Sequence, residues 1–145
     1  MKIIKYKSGF TFLELIITIS IIGIMAVVSL SYVGQNRTDK EVEAASREVT
    51  SALREAQNDA LSGKNAKTCT SHMFNYSGSS YSIGCAGSLT SYNLKNGVTF
   101  QGNGSVSFSI PFANVSNAAS IKLQKSGVCY QVSVSAAGVI LESKC

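Results

Sequence analysis

Glu14 is the one ionisable side chain in FTFLELIITISIIGIMAVVSL, the stretch from Phe10 to Leu30. An ionised acid costs about 2.5 to 3.5 kcal/mol at the centre of a membrane-spanning helix, so a carboxylate here calls for a cationic partner. His72 is the only histidine and stands near Cys69 and Met73. An imidazole acts as a base or a metal ligand only in company. No paired carboxylates, Gly-rich phosphate loop or metal-ligand cluster accompanies it, so His72 reads as a packing or surface residue and no catalytic site or cofactor is expected. The four cysteines are a separate matter. Cys69 and Cys85 are 16 apart, Cys129 and Cys145 are also 16 apart, and no CxxC occurs. A four-cysteine zinc site and a pair of disulfides are the two chemistries open to them.

The elements that position these residues follow from where the apolar residues lie. Hydrophobic residues make up 45% of the 145 positions, an ordinary share for a folded chain, but their distribution is uneven. No charged residue occurs from Leu15 to Val33, and such a run approaches the ~20 residues a helix needs to cross a bilayer. Lys2, Lys5 and Lys7 precede it and favour a cytoplasmic N-terminus. The formal charge of +5 is also uneven. Arg37, Lys40, Arg47 and Arg54 are outnumbered by Asp39, Glu41, Glu43, Glu48, Glu55 and Asp59, whereas from Lys64 onward Glu142 is the only acid against six lysines.

Beyond Gly34-Gln35-Asn36 a helical pattern resumes. Val42, Ala45, Val49, Ala52, Leu53, Ala56 and Ala60 recur at spacings of three and four and fall on one face. Glu43 and Arg47 form a well-oriented pair four residues apart, worth about 0.2 to 0.5 kcal/mol. Gly63 supplies the stop, since glycine takes the left-handed conformation that closes helices. After it the period changes to two. Segments 98–100, 106–110, 120–123, 130–134 and 139–141 read as short strands, with turns at Asn96-Gly97, at QGNGS and at Ser126-Gly127, and a loop opened by Pro111. The expected fold class is α+β, a long N-terminal helix packed on an antiparallel sheet.

Three readings of the N-terminus compete: a secretory signal cleaved near Ser29-Leu30-Ser31, a plain membrane anchor, and a helix that is trimmed and kept. The apolar run is long for the first, and the second leaves Glu14 unexplained. KSGFTFLELI, Lys7 to Ile16, resembles the processing site of type IV prepilins and type II secretion pseudopilins: a short basic leader ending in Gly, then Phe, Thr, an apolar residue, Leu and Glu. That resemblance implies cleavage after Gly9 by a prepilin peptidase and methylation of the new N-terminus at Phe10. It also implies that the new amine pairs with the Glu14 carboxylate of a neighbouring subunit; pairing within one chain is the alternative. SREVTSALREAQNDALSG, 46–63, and YQVSVSAAGVI, 130–140, resemble the second helical half and the closing strand of H-type minor pseudopilins and minor pilins. The organisation expected is a leader at 1–9, a transmembrane and filament-core helix at 10–33, an amphipathic half at 34–63 and a β domain at 64–145.

The resemblance further implies other pilins or pseudopilins as partners, together with an inner-membrane assembly platform and its ATPase. The soluble part would lie in the periplasm of a bacterium before entry into a filament. That compartment is oxidising and favours disulfides over zinc. Four cysteines allow three pairings. If Ala136-Ala137-Gly138 is a three-residue hairpin loop, Ser135 faces Val139 and Cys129 faces Cys145; a count about Ser77, with NYSGS as the turn, sets Cys69 opposite Cys85. The pairs expected are therefore Cys69–Cys85 and Cys129–Cys145. A binding module is the second function class: Lys64, Lys67, Lys122, Lys125 and Lys144 would form a patch for DNA or a surface. Family members involved in DNA uptake carry arginines after the closing glycine, where this chain has Val139-Ile140-Leu141. A membrane-tethered enzyme is a third class, and no residue constellation supports it.

Overall fold

A computed structural model describes residues 10–116 and 118–145, and for 30–35 the backbone alone. Gly9, the leader segment 1–9 and its three lysines lie outside the described residues. One helix, α1, runs Phe12–Leu61, passing through the Gly34-Gln35-Asn36 segment without a break in its backbone. Eight strands follow: β1 Ser71–Ser77, β2 Ser80–Cys85, β3 Ser88–Asn93, β4 Thr99–Phe100, β5 Asn103–Ser109, β6 Ala119–Lys125, β7 Val128–Val134 and β8 Ile140–Lys144. The chain divides into two units, one ending at Arg37 and the other spanning Thr38–Cys145.

In the first unit, Phe12–Ser29 is long and apolar enough to cross a membrane, and none of that window is buried against the rest of the protein. Its hydroxyl side chains close on their own helix. The hydroxyls of Thr18, Ser20 and Ser29 donate to the carbonyls of Leu15, Ile16 and Met25 at 2.9, 2.8 and 2.9 Å. Hydroxyls bonded within the helix need no water, which is the condition for placing them in hydrocarbon.

In the second unit the seven-residue stripe from Val42 to Ala60 is buried and forms one cluster with Phe74 and Ile83, Ile121 and Leu123, and Val132 and Val134. Full burial of a side chain such as Leu53 stabilises by about 1.5 to 3 kcal/mol. The helix closes at Gly63, whose φ is +66°. Gly63 N–H donates to Ala60 O at 3.2 Å and Lys64 N–H to Asp59 O at 3.1 Å, the paired bonds of a Schellman cap.

The strands form two sheets instead of the one expected. Their orders are β3-β2-β1-β5 and β4-β6-β7-β8, and all pairings are antiparallel. The division occurs at Gln101-Gly102, where Gly102 has φ +94°. Phe100 pairs with Leu123 in one sheet, and Asn103 pairs with Ser77 in the other. The QGNGS turn is thus shorter than expected, because Asn103 to Ser105 already belong to β5.

The two hairpins expected to align the cysteines differ in register. Ser135 N–H donates to Val139 O at 3.0 Å, and Cys145 N–H donates to Cys129 O at 3.2 Å, so those cysteines face each other. Their sulfurs are bonded with Cα atoms 5.4 Å apart. The other hairpin turns at Gly78-Ser79, with Ser77 opposite Ser80, because Gly78 at φ +59° makes a two-residue loop possible. The count about Ser77 is therefore corrected: Cys85 faces His72, and Cys69 precedes β1. The segment from Gly63 to Thr70 brings Cys69 to Cys85 all the same, bonded across a Cα separation of 5.7 Å.

Candidate functional site

Thr11 and Glu14 begin the helix together. Glu14 N–H donates to Thr11 Oγ1 at 3.3 Å, and Leu15 N–H donates to Thr11 O at 3.2 Å, so Thr11 is the N-cap and Glu14 the third helical residue. A threonine three residues before a glutamate is the capping-box spacing. The acid also lies where the helix dipole favours negative charge, a term of about 0.3 to 1 kcal/mol that offsets only part of its cost in hydrocarbon. Phe10, immediately ahead of the cap, is 78% exposed. An amine created at Phe10 would thus stand just ahead of the cap, and the Glu14 carboxylate in the first turn after it. The T-x-x-E spacing was visible in the sequence, and the cap it makes was missed.

The lysines of the second unit do not form one patch. Lys64 Nζ lies 2.7 Å from Asp59, Lys125 Nζ 2.6 Å from Glu41, and Lys144 Nζ 2.5 Å from Asp39. From Glu41 to Asp59 is about 27 Å along the helix at 1.5 Å per residue, so Lys64 sits far from the other two. Lys67 and Lys122 are exposed. The hydrogen bond to Lys144 holds the Asp39 carboxyl below the usual range, and the same bond raises Lys144. Asp59 likewise raises Lys64. Each of these pairs joins the helix to the segment after it or to a strand. On the helix itself Glu43 accepts from Arg47 at 2.6 Å and from Lys40 at 2.7 Å, and the Lys40 bond is the main cause of its lowered pKa.

His72 is 2% exposed, and its Nε2 donates to the Lys64 carbonyl at 3.0 Å, which ties β1 to the segment after the helix cap. Among the described residues no group of three or more His, Cys, Asp or Glu side chains is arranged to hold a metal ion. Two further ties escaped sequence reasoning. Gln57 Nε2 donates to Gly138 O at 2.8 Å, fixing the closing hairpin to the helix. Tyr81 O–H donates to Glu48 at 2.8 Å, and burial followed by that bond pushes the phenol well above its ordinary pKa.

Residues 4–30 match the prokaryotic N-terminal methylation motif. The fold matches the crystal structure of the type IV minor pilin FimU from Pseudomonas aeruginosa strain PAO1, with a TM-score of 0.57 and 16% sequence identity over 72% of this chain and 89% of that one. The chain is type IV pilin-like in its N-terminal motif and in its fold. No curated protein matches it. In this pilin-like chain the motif and the helix coincide: the matched segment contains Gly9, Phe10, Thr11 and Glu14 and runs to Leu30, one residue past the membrane-length window. The second unit supplies the rest of the pilin fold.

Proposed function

We propose that this chain is a minor structural subunit of a type IV pilus or a type II secretion pseudopilus. A prepilin peptidase cuts after Gly9 and the new amine of Phe10 is methylated. The apolar helix holds the subunit in the bacterial inner membrane with residues 38–145 in the periplasm. An assembly platform and its ATPase then move it into a filament of fellow pilins, where its Glu14 meets the N-terminal amine of a neighbour.

One observation carries this reading: a methylation motif runs into a helix whose membrane-length window, Phe12–Ser29, has Glu14 in its first turn as its single ionisable side chain. A carboxylate in hydrocarbon is stabilised by a paired cation, and the cleaved terminus supplies one. Mass spectrometry of the protein from cells holding the peptidase tests the processing step. The expected species lacks nine residues and begins with methylated phenylalanine. A chain that keeps Lys7 and Gly9, or is cut after the apolar run, contradicts it.

A further inference from the structure

The sheet β3-β2-β1-β5 has one face in the core, through Phe74, Tyr81, Ile83, Val106 and Phe108. Its other face carries two uncharged polar rows. Ser105, Asn75, Ser82 and Ser91 are partners in one row across the four strands. Asn103, Ser77, Ser80 and Asn93 form the next row. All eight positions hold serine or asparagine, in a chain that carries a net charge of +5. Asparagine is depleted in strands, and a polar face is the one an antiparallel sheet turns away from its core. Neighbouring positions lie about 4.8 Å apart across strands and about 6.8 Å apart along them.

These side chains are turned outward. Ser80 Oγ donates to Ser77 O at 3.2 Å, whereas Asn75, Ser82 and Ser91 make no side-chain hydrogen bond within the chain among the described residues. A shallow cavity of about 130 Å³ lies over five of the eight. The adjoining row carries Ser107, Met73, Gly84 and Leu89, of which Met73 and Leu89 are apolar. Gly84 is required there, since a Cβ would run into the Ser88 carbonyl oxygen.

We propose that this face binds a neutral polysaccharide chain. Serine hydroxyls and asparagine amides both donate and accept, as sugar hydroxyls do, so each contact is matched whichever way a ring presents itself. The absence of charge fits a neutral ligand, because no ion has to be desolvated and left unpaired when the ligand covers the face. A polyanion would find no counter-charge here. Met73 and Leu89 suit the C–H face of a sugar ring. All of these residues belong to the second unit.

The test is co-sedimentation of the full-length chain, in a detergent without a sugar headgroup, with cellulose, chitin and starch granules at low and high salt. Retention on at least one of them, indifferent to salt, is expected. The double variant Asn75→Ala/Ser82→Ala should lose about tenfold in affinity, the scale of two net hydrogen bonds. Lys122→Ala, on the other sheet, should bind as wild type. Near-ultraviolet circular dichroism checks that the double variant is folded; if it is not, Ser91→Ala on the exposed β3 is measured in its place. Failure on all three polysaccharides, loss of binding in high salt, or equal binding by the folded variant would overturn the assignment. So would concentration-dependent self-association that the variant abolishes, since the face would then be covered by a second copy.

Discussion

Lys144 Nζ lies 2.5 Å from Asp39 Oδ1, joining residues 105 apart in sequence. Lys144 ends β8 and Asp39 lies in α1, so this pair ties the outer strand of the second sheet to the helix. Tyr130, opposite Lys144 on β7, has its ring centroid 5.7 Å from the same ammonium.

That pair gives a pH dependence with a definite sign. Asp39 has a lowered pKa in the folded chain, so its contribution is present above the ordinary carboxylate value of about 3.9 and is lost as pH falls below it. Lys144 has a raised pKa, so its contribution is present below about 10.4 and is lost as pH rises beyond that. Thermal melts of wild type and Lys144→Gln should differ at neutral pH and converge below about pH 3.9. Because both groups face solvent, the difference should also shrink in high salt. A gap that persisted in acid would mean that the lysine stem, and not its charge, stabilises β8.

Gly138 has φ +77°, and a Cβ there would stand 2.7 Å from Gln57 Nε2. Gly138→Ala should destabilise the second unit by about 1 to 2 kcal/mol, the cost of a left-handed alanine, and weaken the bond from Gln57. Urea unfolding measures it. Gln57→Ala should lose only the hydrogen bond, about 0.5 to 1.5 kcal/mol. An alanine variant as stable as wild type would show that the hairpin relaxes away from the helix.

Each disulfide closes a loop with a sequence separation of 16. On the chain-entropy model each is worth about 3 kcal/mol, and removal of a native bridge from a small domain costs about 2 to 5 kcal/mol. Replacing Cys129 and Cys145 by serine should therefore lower stability by about that amount, and so should replacing Cys69 and Cys85. Non-reducing peptide mapping should find 69 linked to 85 and 129 linked to 145. Any crossed pairing contradicts the register of β7 with β8.

Much of the fold was legible where one residue type decides the backbone. The stripe from Val42 to Ala60 announced a buried helix face, Gly63 its end, and Ser126-Gly127 the β6–β7 hairpin. Of the first three strands, β1 and β2 were legible only as a hairpin of uncertain bounds and β3 not at all, and the reason is physical. SHMFNYS, SYSIGC and SLTSYN are rich in Ser, Asn and Gly, which read as loop because strand preference reflects packing on a half-buried face. Their inner residues alternate, as Phe74, Tyr81 and Ile83 show, but their outer residues carry no strand signal. The register of Cys69 with Cys85 failed for a related reason: a two-residue turn at Gly78-Ser79 and a longer one about Ser77 are both available to NYSGS, and pairing with β5 and β3 decides between them. The pairs between helical acids and distant lysines are long-range, so no local pattern shows them.

The same limit applies to Glu14. Its place in the apolar run was plain from the sequence, and the helix dipole offsets part of the cost of an acid in the first turn. The rest of that cost is offset, in the function proposed above, by a neighbour's amine. The direct measurement is the share of mature protein in sheared filaments against the membrane fraction, compared between wild type and Glu14→Gln in cells with a working assembly system. The glutamine variant should still be cut after Gly9 but stay in the membrane. Incorporation of the cut variant into filaments at the wild-type level would contradict it.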